Sequence, residues 1–191
     1  MTGQMRLFHF SDDPAITAFR PRPVAVPSQR PPGLDWLNGS LVWAIDEAHQ
    51  AMYLFPRDCP RILVWSRPDT SAEDRDRWFG HSAGRIIAHI EWDWLARLRS
   101  SVLYRYALPP ETFEPRQDAG MWVSRQAVTP ITMDVLSDLP AALCAAGVEL
   151  RVMERLTPLR EIWSSSLQAS GIRLRNAQEW RAPSNEVGNA T

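Results

Sequence analysis

Short apolar runs, each cut off by a proline or a polar turn, constrain the fold of this chain more than any other feature. Residues 5–10 (MRLFHF), 40–45 (SLVWAI), 51–55 (AMYLF), 60–65 (PRILVW), 85–91 (RIIAHIE) and 101–107 (SVLYRYA) are rich in branched and aromatic residues and too short for buried helices. Each predicts a strand, and residues 121–124 and 148–153 add two more. Helices are predicted between them. Residues 15–19 follow the start signal Ser11-Asp12-Asp13-Pro14, and 71–79 open with Ser71 and Asp74, close to a capping box. Further helical segments are predicted over 92–98, 136–146 and 162–176, the last weakened by Gly171. This order lacks the regular strand–helix alternation of a doubly wound sheet. It predicts an α+β domain with a largely antiparallel or mixed sheet core and a few helices.

Residues 20–39, RPRPVAVPSQRPPGLDWLNG, form a proline-rich loop, because proline removes backbone donors and forbids regular structure. A loop of this length inside a small domain is expected to be functional or to wrap the surface. Composition does not shift across it. The expectation is therefore one globular domain over residues 1–180 and a polar tail over 181–191. No apolar run reaches the roughly 18 residues needed to span a bilayer. The opening MTGQMRLFHFSDD lacks the basic-then-apolar pattern of a secretory signal. Cys59 and Cys144 are the only cysteines, too few for a four-thiolate zinc site. Reduced thiols, a cytoplasmic location and no membrane partner are expected.

All 21 basic residues are arginine, so lysine chemistry is excluded, both the Schiff base and the P-loop. A net charge of −1 implies no general grip on nucleic acid. Clustered arginines still suit a small anion, because the guanidinium fork matches phosphate and carboxylate geometry.

Four constellations are candidates for chemistry. Period-two geometry puts Leu7, His9 and Ser11 on one face of the first strand and Arg6, Phe8 and Phe10 on the other. An imidazole there is either a hydrogen-bonded core group or a pocket wall. Residues 51–61 carry an aromatic strand into a proline-pinned turn. Arg57 there either pairs with Asp58 or joins Arg61 in facing an anion, and Cys59 is read as structural. If the strand stays extended, His89, Glu91 and Asp93 share a face able to hold a divalent metal. The spacing of the four histidines gives no H-x-x-x-H pattern, and no metal is expected. The serines and arginines of 163–176 lack any nucleophile pattern. Trp36, Trp43 and Trp122 are candidates for a stacking wall.

The stretches HFSDDPAI, LVWAIDEAHQAMYLFPRDCPRI, LYRYALPPETFEP, GMWVSRQAVTP and SGIRLRNAQ resemble an uncharacterised bacterial domain family over nearly the whole chain, a likeness that implies no activity. The opening R-L-F-H-F-S also resembles the first strand of ADP-ribosyltransferase-like folds, whose histidine reaches the NAD ribose. The Tyr53 segment is similar to that family's aromatic strand, whose ring stacks on nicotinamide. The likeness implies roles for His9 and Tyr53. It also implies a late glutamate, for which Glu149 and Glu154 are candidates, ahead of Glu111 and Glu114.

On that resemblance the expected function is binding of NAD or a related nucleotide, with transferase-like or glycohydrolase-like chemistry. The protein would hold the nicotinamide ribose while the glycosidic bond breaks, and a glutamate would steady the cationic sugar. NAD would enter as substrate, and no resident cofactor is implied. His9, Tyr53 and Arg57 are expected to line one cavity, with Ser11 and Arg61 as further binding residues. The alternative is a non-catalytic interaction module that meets a partner through the proline-rich loop and tryptophans. A third reading is a metal-dependent hydrolase built on His89, Glu91 and Asp93.

Overall fold

Branched and aromatic residues pack well on a pleated surface, and the apolar runs here become strands for that reason. A computed structural model describes residues 5–27, 32–116 and 119–180. Its strands are β1 (Leu7–Ser11), β2 (Val42–Asp46), β3 (Arg61–Trp65), β4 (Ile86–Glu91), β5 (Leu103–Leu108), β6 (Glu114–Pro115), β7 (Met121–Ser124), β8 (Thr132–Leu136), β9 (Val148–Met153) and β10 (Gln168–Ile172). Its α-helices are α1 (Ala72–Trp78), α2 (Leu95–Ser100) and α3 (Leu139–Ala145). The class is α+β.

The chain divides into two compact units, each built from two separate stretches: 1–57 with 101–139, and 58–100 with 140–191. The first holds a six-stranded sheet in the order β6-β7-β2-β1-β5-β8, antiparallel throughout. One of its apolar clusters joins Leu7, Phe19, Val42, Ala44, Tyr106, Leu108, Phe113 and Val128. The second holds a four-stranded mixed sheet, β10-β3-β4-β9, in which only β4 and β9 run parallel. Ile62, Val64, Ile87, Leu156, Leu159 and Ile162 form the centre of its core. Helix α1 starts as its sequence indicates: the Ser71 hydroxyl accepts from the Asp74 N–H at 3.1 Å. No helix among the described residues is long and apolar enough to cross a membrane.

Four elements differ from expectation, each for a local reason. Residues 15–19 are not helical. The Asp13 carboxylate takes the Ala15 N–H at 2.9 Å, and Phe19 exchanges backbone hydrogen bonds with Val128 instead. Residues 51–55 are not a strand: a 3₁₀ turn covers Gln50–Tyr53. The Asp46 carboxylate at the end of β2 accepts from the backbone N–H of His49 at 2.9 Å and bonds its ring Nδ1 at 2.7 Å, which bends the chain into that turn. The expected helix over 162–176 is a 3₁₀ segment, strand β10 and a second 3₁₀ turn. Gly171 lies so close to Trp163 and Leu174 that a Cβ would stand 2.4 Å from Leu174 Cδ1. The helix expected over 136–146 begins only at Leu139, because Leu136 ends β8. The expected polar tail, 181–191, lies outside the described residues.

Candidate functional site

β1 places His9 in the middle of the first sheet, between β2 and β5. Its ring lies against Phe19, centroids 4.6 Å apart, and its Nδ1 donates to the Trp43 carbonyl oxygen at 2.8 Å. A carbonyl only accepts, so this bond places the proton on Nδ1 and leaves Nε2 as an acceptor in the neutral ring. Burial holds the His9 pKa below its ordinary value. The positive charges of Arg22 and Arg57 push the same way, against the raising effect of the Trp43 bond. His9 is half-buried and Arg22 exposed. Neither His9 Nε2 nor the Arg22 guanidinium has a hydrogen-bond or ion-pair partner among the described residues. Arg57 Nη1 donates to Asp12 Oδ1 at 3.1 Å, an ion pair that joins the turn after β1 to the segment after Tyr53. Ser11 is buried, and its hydroxyl accepts from the Asp13 N–H at 3.1 Å, which fixes the turn after β1.

Tyr53 is not part of this group. Its ring stacks on Phe10 with centroids 6.3 Å apart and 18° between planes, and its hydroxyl lies 3.4 Å from Met121 Sδ. Phe10 and His9 are neighbours on one strand and point to opposite faces. Tyr53 and His9 are therefore on opposite faces of the sheet, so the expected shared cavity of His9, Tyr53 and Arg57 is not formed; Arg22 and Arg57 are the cations that bear on His9. The tryptophan wall also dissolves. Trp122 packs on the Leu7–Tyr106 cluster, whereas Trp36 and Trp43 pack on that of Leu37, Leu41 and Val123.

The remaining candidates belong to the second unit. Arg61 opens β3 and is buried, with Nη1 donating to the Cys59 carbonyl oxygen at 2.9 Å. Cys59 is itself fully buried, which pushes its thiol up to about 12. His89 Nδ1 lies 3.3 Å from the Ile62 carbonyl oxygen, and burial lowers this imidazole to about 4. The buried Glu91 carboxylate accepts from the backbone N–H of Leu156 at 3.2 Å and of Gln178 at 3.1 Å. β4 ends at Glu91, so Asp93 sits on a 3₁₀ turn, where it accepts from the Gln178 side chain at 2.7 Å. The extended His89-Glu91-Asp93 face is thus not formed. No group of three or more metal-ligating side chains occurs among the described residues.

Glu149 and Glu154 lie on or just after β9. Glu149 Oε1 accepts from Arg151 Nε at 2.8 Å, and bonds from Ser82 and Arg151 hold its carboxyl below the usual range. The Glu154 side chain is 85% exposed and stands 3.9 Å from Arg155. An open cleft of about 510 Å³ is lined by Arg77, Trp78, His89, Arg151, Met153 and Leu159. Its polar groups have structural work. Arg151 also donates to the Trp78 and Phe79 carbonyl oxygens, both at 2.9 Å, closing the end of α1. Arg77 pairs with Glu161 and lies over the Trp78 ring.

Residues 8–177 match a family of unknown function, DUF6886. The chain belongs to that family. No curated protein and no solved structure matches it.

In this DUF6886 chain the candidate site around His9 includes two groups that sequence reasoning missed. Arg22 sits in the proline-rich loop and is brought back to the sheet by a bridge with Leu41. Only the RPRP motif signalled it, as an arginine held between prolines. The Trp43 carbonyl, which sets the His9 tautomer, leaves no mark in a side-chain pattern. Glu91, which only the third reading offers as a metal ligand, uses its carboxylate to tie down backbone at Leu156 and Gln178.

Proposed function

We propose that this chain binds a small anionic ligand that also carries hydroxyl groups, as a nucleotide does, at His9, Arg22 and Arg57. The observation behind this is the pairing of two polar groups without partners among the described residues: the acceptor Nε2 of His9 and the guanidinium of Arg22, close enough for the cation to bear on the imidazole. A neutral imidazole whose Nδ1 is committed accepts a hydrogen bond from a ribose hydroxyl. A planar guanidinium suits a phosphate in bidentate fashion, and Arg57, paired with Asp12, adds a second positive charge. NAD and ADP-ribose carry both requirements in one molecule. Binding, rather than glycosidic cleavage, is what these groups support, since Glu149 is engaged with Arg151 and Glu154 is open to solvent.

Thermal shift and calorimetry with NAD, ADP-ribose and inorganic phosphate test the proposal. Nucleotides are expected to stabilise the protein more than phosphate does. Arg22→Ala is expected to weaken ADP-ribose roughly 10- to 100-fold, the equivalent of one charge-assisted hydrogen bond. His9→Ala is expected to weaken ADP-ribose but leave phosphate unchanged. A wild-type protein that binds none of the three, or binding indifferent to both substitutions, refutes the reading.

A further inference from the structure

Among the described residues β8 is an edge strand. It pairs with β5 on one side, and the sheet order ends with it. Ile131, just before the strand, and Met133 and Val135 within it are 65%, 39% and 59% exposed, and period-two geometry sets Met133 and Val135 on one face. That is also the face of Tyr104 and Tyr106, their neighbours in register on β5. Natural sheets blunt such edges with lysine, proline or a charge in the strand. This chain has no lysine, and Pro130 stands before the strand. The one charge within β8, Asp134, is neutralised by Arg105, whose Nε and Nη2 donate to it at 3.1 and 2.8 Å.

We infer that β8 is a self-association edge, at which two copies of this chain pair their β8 strands antiparallel about a twofold axis through Met133. The occupant follows from self-complementarity. With Met133 on the axis, each Ile131 faces Val135 of the second copy, each Thr132 faces Asp134, and Met133 faces itself. Residues directly opposite in an antiparallel pair share a face, so the whole apolar stripe of one copy meets that of the other and no like charges oppose. Moving the axis to Asp134 sets two carboxylates against each other. Moving it to Thr132 brings Asp134 opposite Pro130, which has no N–H to donate, and leaves Val135 outside the strand pair. A twofold pairing of this kind uses the same patch on both chains, which gives a closed dimer rather than a fibre. It stands independently of the ligand proposed for His9.

The test uses the full chain. Sedimentation velocity on the wild type at high concentration is expected to give the mass of two chains, and Val135→Lys the mass of one with unchanged circular dichroism and melting. Register is read separately in a Cys144→Ser background, where buried Cys59 is the only other thiol. Met133→Cys is expected to form a disulfide-linked dimer under mild oxidation, since it opposes itself across the axis, whereas Asp134→Cys opposes Thr132 and is expected to form no cross-link. A monomeric wild type overturns the inference, whatever other strand the edge takes up. So does a dimer that survives Val135→Lys, or cross-linking of Asp134→Cys as fast as of Met133→Cys.

Discussion

His89 provides a quantitative check on the second unit. Its imidazole is 4% exposed and lies in register with Arg151 on β9; burial first, then that positive charge, disfavours the charged form and outweighs the raising effect of the bond to the Ile62 carbonyl, so the pKa drops from 6.5 to about 4. Glu149 acts weakly in the opposite sense. The unfolded chain takes up this proton near pH 6.5 and the folded chain does not. Stability is therefore constant above about pH 7 and falls as the pH drops through 6.5, levelling only near the folded value. Between pH 7.5 and pH 5 this one group removes about 2 kcal/mol, at up to about 1.4 kcal/mol per pH unit. Carboxylates stay largely ionised in that window, which separates their contribution from that of the imidazole. The assay is urea denaturation of the wild type and His89→Leu across pH 7.5 to 5. Whatever its baseline, the variant is expected to show a flatter pH dependence, by about 2 kcal/mol over the window. Parallel pH curves for the two proteins would refute the argument that burial keeps this imidazole neutral.

Glu91→Ala strands the N–H groups of Leu156 and Gln178 beside a cavity, and an expected loss of about 3 kcal/mol is readable by denaturant melting. A loss below about 1 kcal/mol would mean that water replaces the carboxylate there. For Cys59, a thiol near 12 with no exposed surface is expected to escape a maleimide at pH 7.5 in the native protein, while exposed Cys144 reacts. Mass spectrometry of the labelled peptides decides this, and rapid labelling of Cys59 would contradict its burial.

Much of the strand content was legible because it rests on local pattern. Runs such as RILVW and RIIAHIE are apolar on both faces, and burying them is worth more than any alternative local structure. Ser71 with Asp74 likewise announced α1, since a cap is a contact between residues three apart. Of the candidate site, His9 and Arg57 come from these local readings. β8 was not legible: its five residues are mostly exposed, and only pairing with β5 makes them a strand. β10 was hidden in the same way, since QASGI carries little apolar signal and takes its conformation from β3. Tyr53 went to the wrong face because one carboxylate, Asp46, turned the chain by a hydrogen bond that no periodicity records. The sequence alone thus determined which segments must leave water and that the class is α+β, since hydrophobic pattern and caps act over a few residues. Which strands are neighbours, which carbonyl His9 bonds, and where each sheet order ends among the described residues are set by pairings between distant segments, and only the tertiary structure decided those.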